Sequence, residues 1–438
     1  VTGALLASGQ KQTGELRLQI LDATGAPLAA QVSLVSLSNQ VGVSGAAGPD
    51  GRWSARLLPF GSYRLRVEMA AFLTSEEILE IRSEVPLERR VTLGVAPVET
   101  QVQVRDFDTL LPSQSSGWKQ QIGRESLERH RAAQPSRAVL QIVNTQPGWV
   151  LEANGVLHPR GSEYDTQYVI DGIPIVDNRS PAFAPAFEVE ELESMTVRTG
   201  GYPAEYGRKL GGVVELVTAR DERPGLHGRL MTQGGSFGTS FGHAAFQWRR
   251  GRVTAGLSSQ GAFTDRFLDP PVEQNFTNRA TGGGLTGRLE IEASDNDRVR
   301  FYAHQKRTGF LVPNEVVQQA AGQRQDRTNH ESLGSVFWQR VVSPRWLIDV
   351  RGMGREVNAA LWSNSFSTPI VADQDRGLRE AYGSLSASSI FGAHAMKLGF
   401  ETSQTGLRER FGYQISDPSY FADDGELEFP IRFRFVDR

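Results

Sequence analysis

The sequence offers a few places where residue types and spacing could do chemistry. Gly238-Thr239-Ser240-Phe241-Gly242 has the Gly-x-Ser-x-Gly pattern of a nucleophile elbow. Such an elbow presents a serine on a sharp turn between a strand and a helix, with acid and base later in the chain. Here the pentapeptide stands between two strand-like runs, so a hairpin is expected and the serine receives no catalytic role. Asp417, Asp423, Asp424, Glu426 and Glu428 form an oxygen-rich stretch of the kind calcium favours. The ligand spacing of a calcium loop is missing, and the stretch reads as a solvated loop. The seven histidines are scattered without a His-x-x-x-His pair. With no cysteine, thiolate ligands, disulfides and a cysteine nucleophile are removed together. No catalytic residue, metal or cofactor is assigned, and the chain is not read as an enzyme.

The elements that carry these residues must therefore decide the reading. Charged residues make up 22% of the chain and the formal net charge is -3, without the basic excess of a nucleic-acid binder. No apolar run reaches the length of a membrane helix, about eighteen residues. A mean hydropathy of -0.35 fits a soluble protein. It fits a transmembrane barrel equally, because lumen-facing polar residues alternate with apolar ones. Residues 1–10 lack the basic and apolar regions of a complete signal peptide and are read as at most its stub.

Residues 14–94 read as short alternating strands cut by turns. Leu16, Leu18 and Ile20 alternate with Arg17 and Gln19, then Asp22-Ala23-Thr24-Gly25-Ala26-Pro27 turns the chain. Gly48-Pro49-Asp50-Gly51 is a second strong turn, since Pro fixes φ and Gly accepts positive values. About seven such strands make a β-sandwich. The order Asp22…Gly25-x-Pro27, Asp50-Gly51, then Leu58-Pro59-Phe60-Gly61-Ser62-Tyr63 ahead of a strand and Phe72 resembles the carboxypeptidase-regulatory-like domain, a transthyretin-type sandwich.

A linker over 95–119 follows. Within it Pro97, Val98, Glu99, Thr100, Gln101, Val102, Gln103 and Val104 alternate in an extended run, which can add itself as a strand to another protein's sheet edge. Residues 120–220 mix helix and strand. Runs at 124–130 and 136–143 read as helices, the second stopped by Gln146-Pro147-Gly148. Tyr168-Val169-Ile170 enters a tight turn at Asp171-Gly172, and 192–198 is a further strand. His158-Pro159-Arg160-Gly161, the Ile-Asp-Gly turn, Gly200-Gly201-Tyr202-Pro203-Ala204-Glu205-Tyr206-Gly207 and Gly211-Gly212-Val213-Val214 follow one another in an order that closely resembles the plug domain of TonB-dependent transporters. Arg160, Gly161, Asp171, Gly172, Glu205 and Gly207 are the plug-motif residues on that resemblance.

From 225 to 438 the strands alternate between apolar and charged faces. Leu289 and Ile291 oppose Arg288, Glu290 and Glu292; Met396, Leu398 and Phe400 oppose Lys397 and Glu401. A sandwich would show the same alternation, so the connections decide. Short turns at 249–252, 294–297, 342–345 and near Gly392 alternate with long polar stretches at 265–281, 308–329 and 358–376. Periplasmic turns and extracellular loops of outer-membrane barrels alternate in this way. The fold class is mainly β: an N-terminal sandwich, an α+β plug, and about nine strands of an antiparallel transmembrane barrel. Since such transporters have about twenty-two strands and the chain ends at Arg438 without a terminal aromatic residue, it is read as an N-terminal fragment.

The resemblance implies a receptor in the bacterial outer membrane, its N-terminal domain in the periplasm. Its plug would close the lumen during proton-motive-force-coupled uptake of a glycan, peptide, siderophore or vitamin too large for porins. The implied partners are TonB with its inner-membrane energy complex, outer-membrane lipid, an unidentified ligand and a surface lipoprotein; nucleic acid is not among them. Residues 97–104 are the candidate TonB-contacting segment. Arg160 matches a plug arginine that family members set against barrel-wall glutamates, for which Glu290 and Glu292 are the candidates here. An adhesin or structural barrel is the alternative, and an enzyme tethered to a sandwich a third reading. Loop aromatics suit a sugar or peptide; Trp362, Phe366, Tyr413 and Tyr420 are the substrate-binding candidates, with Trp362 expected well inside its loop.

Overall fold

The computed structural model describes residues 13–37, 41–95, 119–129, 136–152, 156–160, 166–175, 183–200, 202, 211–220, 223–392, 394–421 and 430–437. The alternating runs at the start form β1 (Thr13–Asp22), β2 (Gln31–Ser36), β3 (Gly42–Ala46), β4 (Arg52–Pro59), β5 (Gly61–Glu68), β6 (Ser75–Ile81) and β7 (Leu87–Leu93). They make two sheets, ordered β4-β1-β7 and β3-β2-β5-β6. The apolar positions of both sheets, among them Leu16, Ile20, Leu34, Tyr63 and Leu65, meet in one buried cluster. The phenol of Tyr63 donates to the Pro59 carbonyl at 2.7 Å, so its one polar atom is satisfied there.

A central domain follows with β8 (Lys119–Gly123), α1 (Arg124–Arg129), α2 (Ala138–Asn144), β9 (Trp149–Leu151), β10 (Leu157–Pro159), β11 (Thr166–Ile170), β12 (Ile173–Ile175), β13 (Leu192–Arg198) and β14 (Gly212–Thr218). Its five-stranded sheet runs β12-β11-β14-β13-β8, with β11 and β14 parallel. Gly212 has a packing reason to be glycine: a Cβ there would lie 2.3 Å from the Trp149 ring. The core joins Leu127, Ile142, Trp149, Met195 and Val214 to Tyr302, Leu333, Met353 and Tyr382 of the next element.

That element is a wall of ten antiparallel strands in chain order: β15 (Gly225–Gly234), β16 (Ser240–Arg250), β17 (Val253–Thr264), β18 (Ala280–Glu292), β19 (Asp297–Leu311), β20 (Gln325–Ser343), β21 (Trp346–Ser363), β22 (Ile370–Phe391), β23 (His394–Ile415) and β24 (Arg432–Asp437). One end has only short connections, at 251–252, 293–296, 344–345 and 392–393. The Gly-x-Ser-x-Gly pentapeptide lies where β15 turns into β16, with Ser240 opening a strand and no helix after it.

The alternation sorts the wall into two faces. Leu230, Phe246, Leu257, Leu285, Leu398 and Phe400 point outward and are exposed. Lys306, Glu331, Arg351 and Arg355 point inward and are buried against the central domain, and Arg298 points inward and is buried against the sandwich. Trp346 and Phe391 meet edge to face at 5.9 Å beside the short turns, at the rim of the apolar belt.

Three expectations change in detail. The ladder of β20 and β21 continues to Gln325↔Ser363, and that of β22 and β23 to Ile370↔Ile415. The expected loops 308–329 and 358–376 therefore shrink to 312–324 and 364–369. The ninth strand runs on to Ile415, and a tenth, β24, pairs with its outer half from Glu409↔Asp437 to Gln414↔Arg432. In the outer part of β20, from Gln325 to Ser332, polar side chains on both faces leave no apolar period to mark the strand.

The sandwich seats on the short-turn end of the wall. Val85 packs with Val341, Leu347 and Ile390, and Glu84 beside it accepts from Lys397 at 2.8 Å and from Ser388 at 3.1 Å.

Candidate functional site between the central domain and the wall

Residues 183–191 carry Phe183, Phe187 and Val189 into buried positions and then make a single 3-10 turn at Val189–Glu191. The turn is held by a capping box. The Glu188 backbone N–H donates to Glu191 Oε2 at 3.1 Å, and the Glu188 carboxylate accepts the Ser136 N–H at 2.8 Å. Two glutamates are thereby fixed facing the inner wall.

Four adjacent wall strands answer them. Lys306 of β19 donates to Glu191 and to the Ala186 carbonyl, and Thr286 of β18 donates to the other Glu191 oxygen at 2.6 Å. Glu331 of β20 accepts the Ala186 N–H at 2.9 Å. Arg355 of β21, whose side chain is fully buried, donates to Glu331 at 2.9 Å, to the Phe183 carbonyl at 2.6 Å and to Glu380 of β22 at 3.4 Å. Phe183 itself sits among Val357, Ala359 and Leu378. The wall thus reads the backbone of this segment through charged donors, which bond more strongly than neutral ones.

Burial alone would raise the Glu191 carboxyl, but Lys306 and His304 outweigh it and hold it at about 2. Glu188 goes the other way: burial pushes it up to about 7, with Lys306 pulling against that rise. The raised group contributes its stability below the ordinary value of 4.5 and loses it as pH rises through about 7. Ionised Glu188 therefore weakens the seat of this turn, and ionised Glu191 strengthens it.

Two further holds lie nearer the short turns. Asp171 (φ 47°) and Gly172 (φ 80°) both take left-handed backbone, the type I′ geometry that joins β11 to β12 and favours this Asp-Gly pair. The turn offers the Gly172 carbonyl to Arg351 at 2.8 Å. Asp171 accepts from Thr218 Oγ1 at 2.8 Å and from Arg220 at 3.3 Å. Burial would raise its carboxyl, yet Arg220 and Arg300 keep it below the usual carboxylate range.

The candidates from sequence fall as follows. Asp171 and Gly172 are in the contact just described. Arg160 is exposed, its backbone N–H bonded to the Gly148 carbonyl at 2.7 Å and its guanidinium beside Gly200. Glu290 and Glu292 do face inward, but the cations on them are Arg56, Arg220, Arg298 and Arg249 rather than Arg160. Residues 97–104, Gly161, Glu205 and Gly207 lie outside the described residues. Trp362 is corrected from loop to strand: it pairs with Asp326 and Asp373 at the end of β21, on the outward register. It is thereby removed from the lumen side. Tyr413 is on the inward register and stacks with Phe433 at 5.5 Å. Phe366 and Tyr420 are exposed, at the 364–369 loop and just after β23.

Sequence reading missed Lys306, Glu331 and Arg355. Their inward parity was available, since each alternates with outward residues; their partners were not, because 183–191 has no periodic signal. Among the described residues no group of three or more His, Asp or Glu could hold a metal ion.

Residues 112–213 match the TonB-dependent receptor plug domain family. The chain carries a TonB-dependent receptor plug. A relative, the TonB-dependent transporter Oar of Myxococcus xanthus, is 23% identical over 246 residues, covering 52% of this chain and 23% of its own length. Among solved structures, the unliganded ferric citrate transporter FecA superposes with a TM-score of 0.55 at 13% identity, over 69% of this chain and 49% of that one. The ferripyoverdine receptor of the Pseudomonas aeruginosa outer membrane gives 0.53 at 11% identity, over 74% and 48%. These likenesses establish a shared fold: plug and antiparallel wall are arranged as in TonB-dependent receptors. The chain spans about a quarter of the curated relative and about half of the solved receptors.

Proposed function

We propose that the chain is part of a TonB-dependent outer-membrane transporter that takes up a solute too large for porins, with the sandwich on the periplasmic side. One observation carries this reading: a plug is seated by charged hydrogen bonds against the inner face of a wall whose outer face is apolar. An apolar outer face with a polar inner face is what a barrel strand needs in a bilayer. A plug whose seat adds exchangeable hydrogen bonds to the apolar core it shares with Tyr302, Leu333, Met353 and Tyr382 can be shifted under load and reseated. Residues 97–104 are the proposed TonB-contacting segment, because they lie just before the plug and alternate as a pairing strand does. The relatives bear ferric citrate and ferripyoverdine in their names; for this chain the solute class stays at glycan, peptide, siderophore or vitamin.

The test is binding of the purified periplasmic domain of TonB to the intact protein in nanodiscs. Val102→Pro removes a backbone donor from any strand that forms there and is expected to weaken binding by about tenfold or more, as losing a main-chain ladder would. Wild-type binding by that variant moves the contact out of 97–104. Absence of TonB binding by the unmodified protein overturns the transporter reading itself.

A further inference from the structure

At the short-turn end of the wall, side chains of the sandwich and the wall alternate in sign around a ring. Arg56 of β4 donates to Glu290 Oε1 at 2.9 Å and to Glu292 at 2.7 Å. Arg298 stands 3.4 Å from that same Glu290 oxygen and 3.3 Å from Glu15 of β1. Glu15 closes the ring at 3.9 Å from Arg56. All four side chains are at most 15% exposed, so water screens them little. Burial would raise the Glu15 carboxyl, but Arg298, Arg56 and Arg17 hold it at about 2. The second oxygen of Glu290 faces the plug: Arg220 lies 3.7 Å away, beyond hydrogen-bond reach, and Asp171 holds it from the other side at 3.3 Å. Sandwich, wall and plug meet at one carboxylate.

We propose that the sandwich is a releasable cover on the short-turn end of the wall, and that it competes with the plug for Glu290. Each of the two, once bound to Glu290, weakens the hold of the wall on the other. The first half follows from what joins sandwich and rim: ion pairs, the Glu84 contacts, a bond from Arg82 to the Gly392 carbonyl and the small apolar patch around Val85, with no strand pairing across the seam among the described residues. Release breaks no backbone ladder there. The second half follows from charge. Two guanidiniums gathered at one carboxylate repel each other, so each is held less firmly in the presence of the other than alone. Departure of Arg56 leaves Glu290 with Arg298 alone on that oxygen and lets the other oxygen close the 3.7 Å gap to Arg220. The coupling is reciprocal by thermodynamic necessity. The chain from Val95 to Lys119 joins sandwich to plug, so a pull on it loads both at once.

These 438 residues contain no cysteine, so single thiols placed in them report cleanly once any cysteine elsewhere in the intact protein is replaced by serine, and the test needs no transported solute. Val85→Cys reports the covered rim, and Ile173→Cys, buried between plug and wall, reports the seat of the plug. Arg56→Gln is expected to speed maleimide labelling at position 85 by about tenfold, as loss of one partner from a buried pair should. The same change is expected to slow labelling at position 173 by about fivefold. Arg220→Gln should slow labelling at position 85, and Glu290→Gln should abolish both cross-effects. Arg56→Lys keeps the charge but reaches fewer acceptors, so it should give smaller changes of the same sign even where the glutamine variant misfolds. Unchanged labelling at position 85 overturns the cover. Faster or unchanged labelling at position 173 in both Arg56 variants overturns the competition.

Discussion

The wall holds the plug and the sandwich by different means. Toward the plug, Lys306, Arg351 and Arg355 each donate to a backbone carbonyl, with Phe183 buried among wall side chains and Tyr302, Leu333 and Met353 shared with the plug core. Toward the sandwich, most contacts run between charged side chains, beside an apolar patch of a few residues. Carbonyl contacts require the plug backbone to keep its shape, so they report conformation as well as position. Side-chain pairs can part and re-form between two rigid bodies whose own folds are untouched. The lesson is that one polar surface can serve as a mould in one place and a clasp in another, depending on which atoms its cations meet.

The sharpest way to break the mould is Arg355→Ala. It leaves Glu331 and Glu380 buried without their shared cation and frees the Phe183 carbonyl. A loss of about 3–5 kcal/mol in the seating of the plug is expected. Hydrogen exchange at 212–218 should rise accordingly while exchange in the sandwich strands stays as it was. A rise of equal size in both would mean that the two contacts are not separate.

A smaller effect tunes the mould. Because Glu188 is pushed up to about 7 by burial, wild-type plug seating should weaken as pH climbs from the ordinary value of 4.5 through 7. Glu188→Gln keeps the shape without the charge, so its exchange rates should be flat over that window and slower than wild type above it. A wild-type protein with no pH slope there would show that Glu188 stays ionised throughout.

The least effect is expected at the exposed edge of the clasp. Arg52 and Asp295 pair at 2.9 Å, but both side chains are more than half exposed. Arg52→Ala should change the labelling equilibrium of Val85→Cys by no more than about 0.5 kcal/mol. A larger loss would mean that the clasp reaches to its solvent edge.

Much of the wall was legible because short turns announce themselves. Gly251, Asp295, Pro344 and Gly392 interrupt alternating runs at the short-turn end, and the parity of those breaks fixed which way each strand runs. The plug was legible through its glycines and Pro-Gly stop, whose backbone demands few other residues meet. What stayed hidden has a common cause. Period-two reading needs an apolar face that stays on one side, and in β21 it passes from Trp346, Ile348 and Val350 outward to Val357 and Ala359 inward, so Trp362 was taken for a loop residue. The partners of Glu290 were hidden for another reason: Arg56 lies far away in the chain, and nothing in the charge pattern of β4 distinguishes a docking arginine from a solvated one. The contacts of 183–191 were equally invisible, since a segment that borrows its donors from the wall carries no periodic mark of its own.

β22 and β23 each have 22 residues, roughly 70 Å of strand at about 3.3 Å per residue. Even at a tilt of about 45°, that rises roughly 50 Å, twice the apolar band of about 25 Å that a barrel needs. Arg379 pairs with Glu356, and Arg408 with Asp375, on the outward face of the surplus, where lipid tails would not tolerate them. On the proposed function, the strands would stand as a collar above the bilayer. A solute landing on that collar would meet a surface already ordered by its own ladder, so that little of its binding energy would be consumed in taming a loose chain.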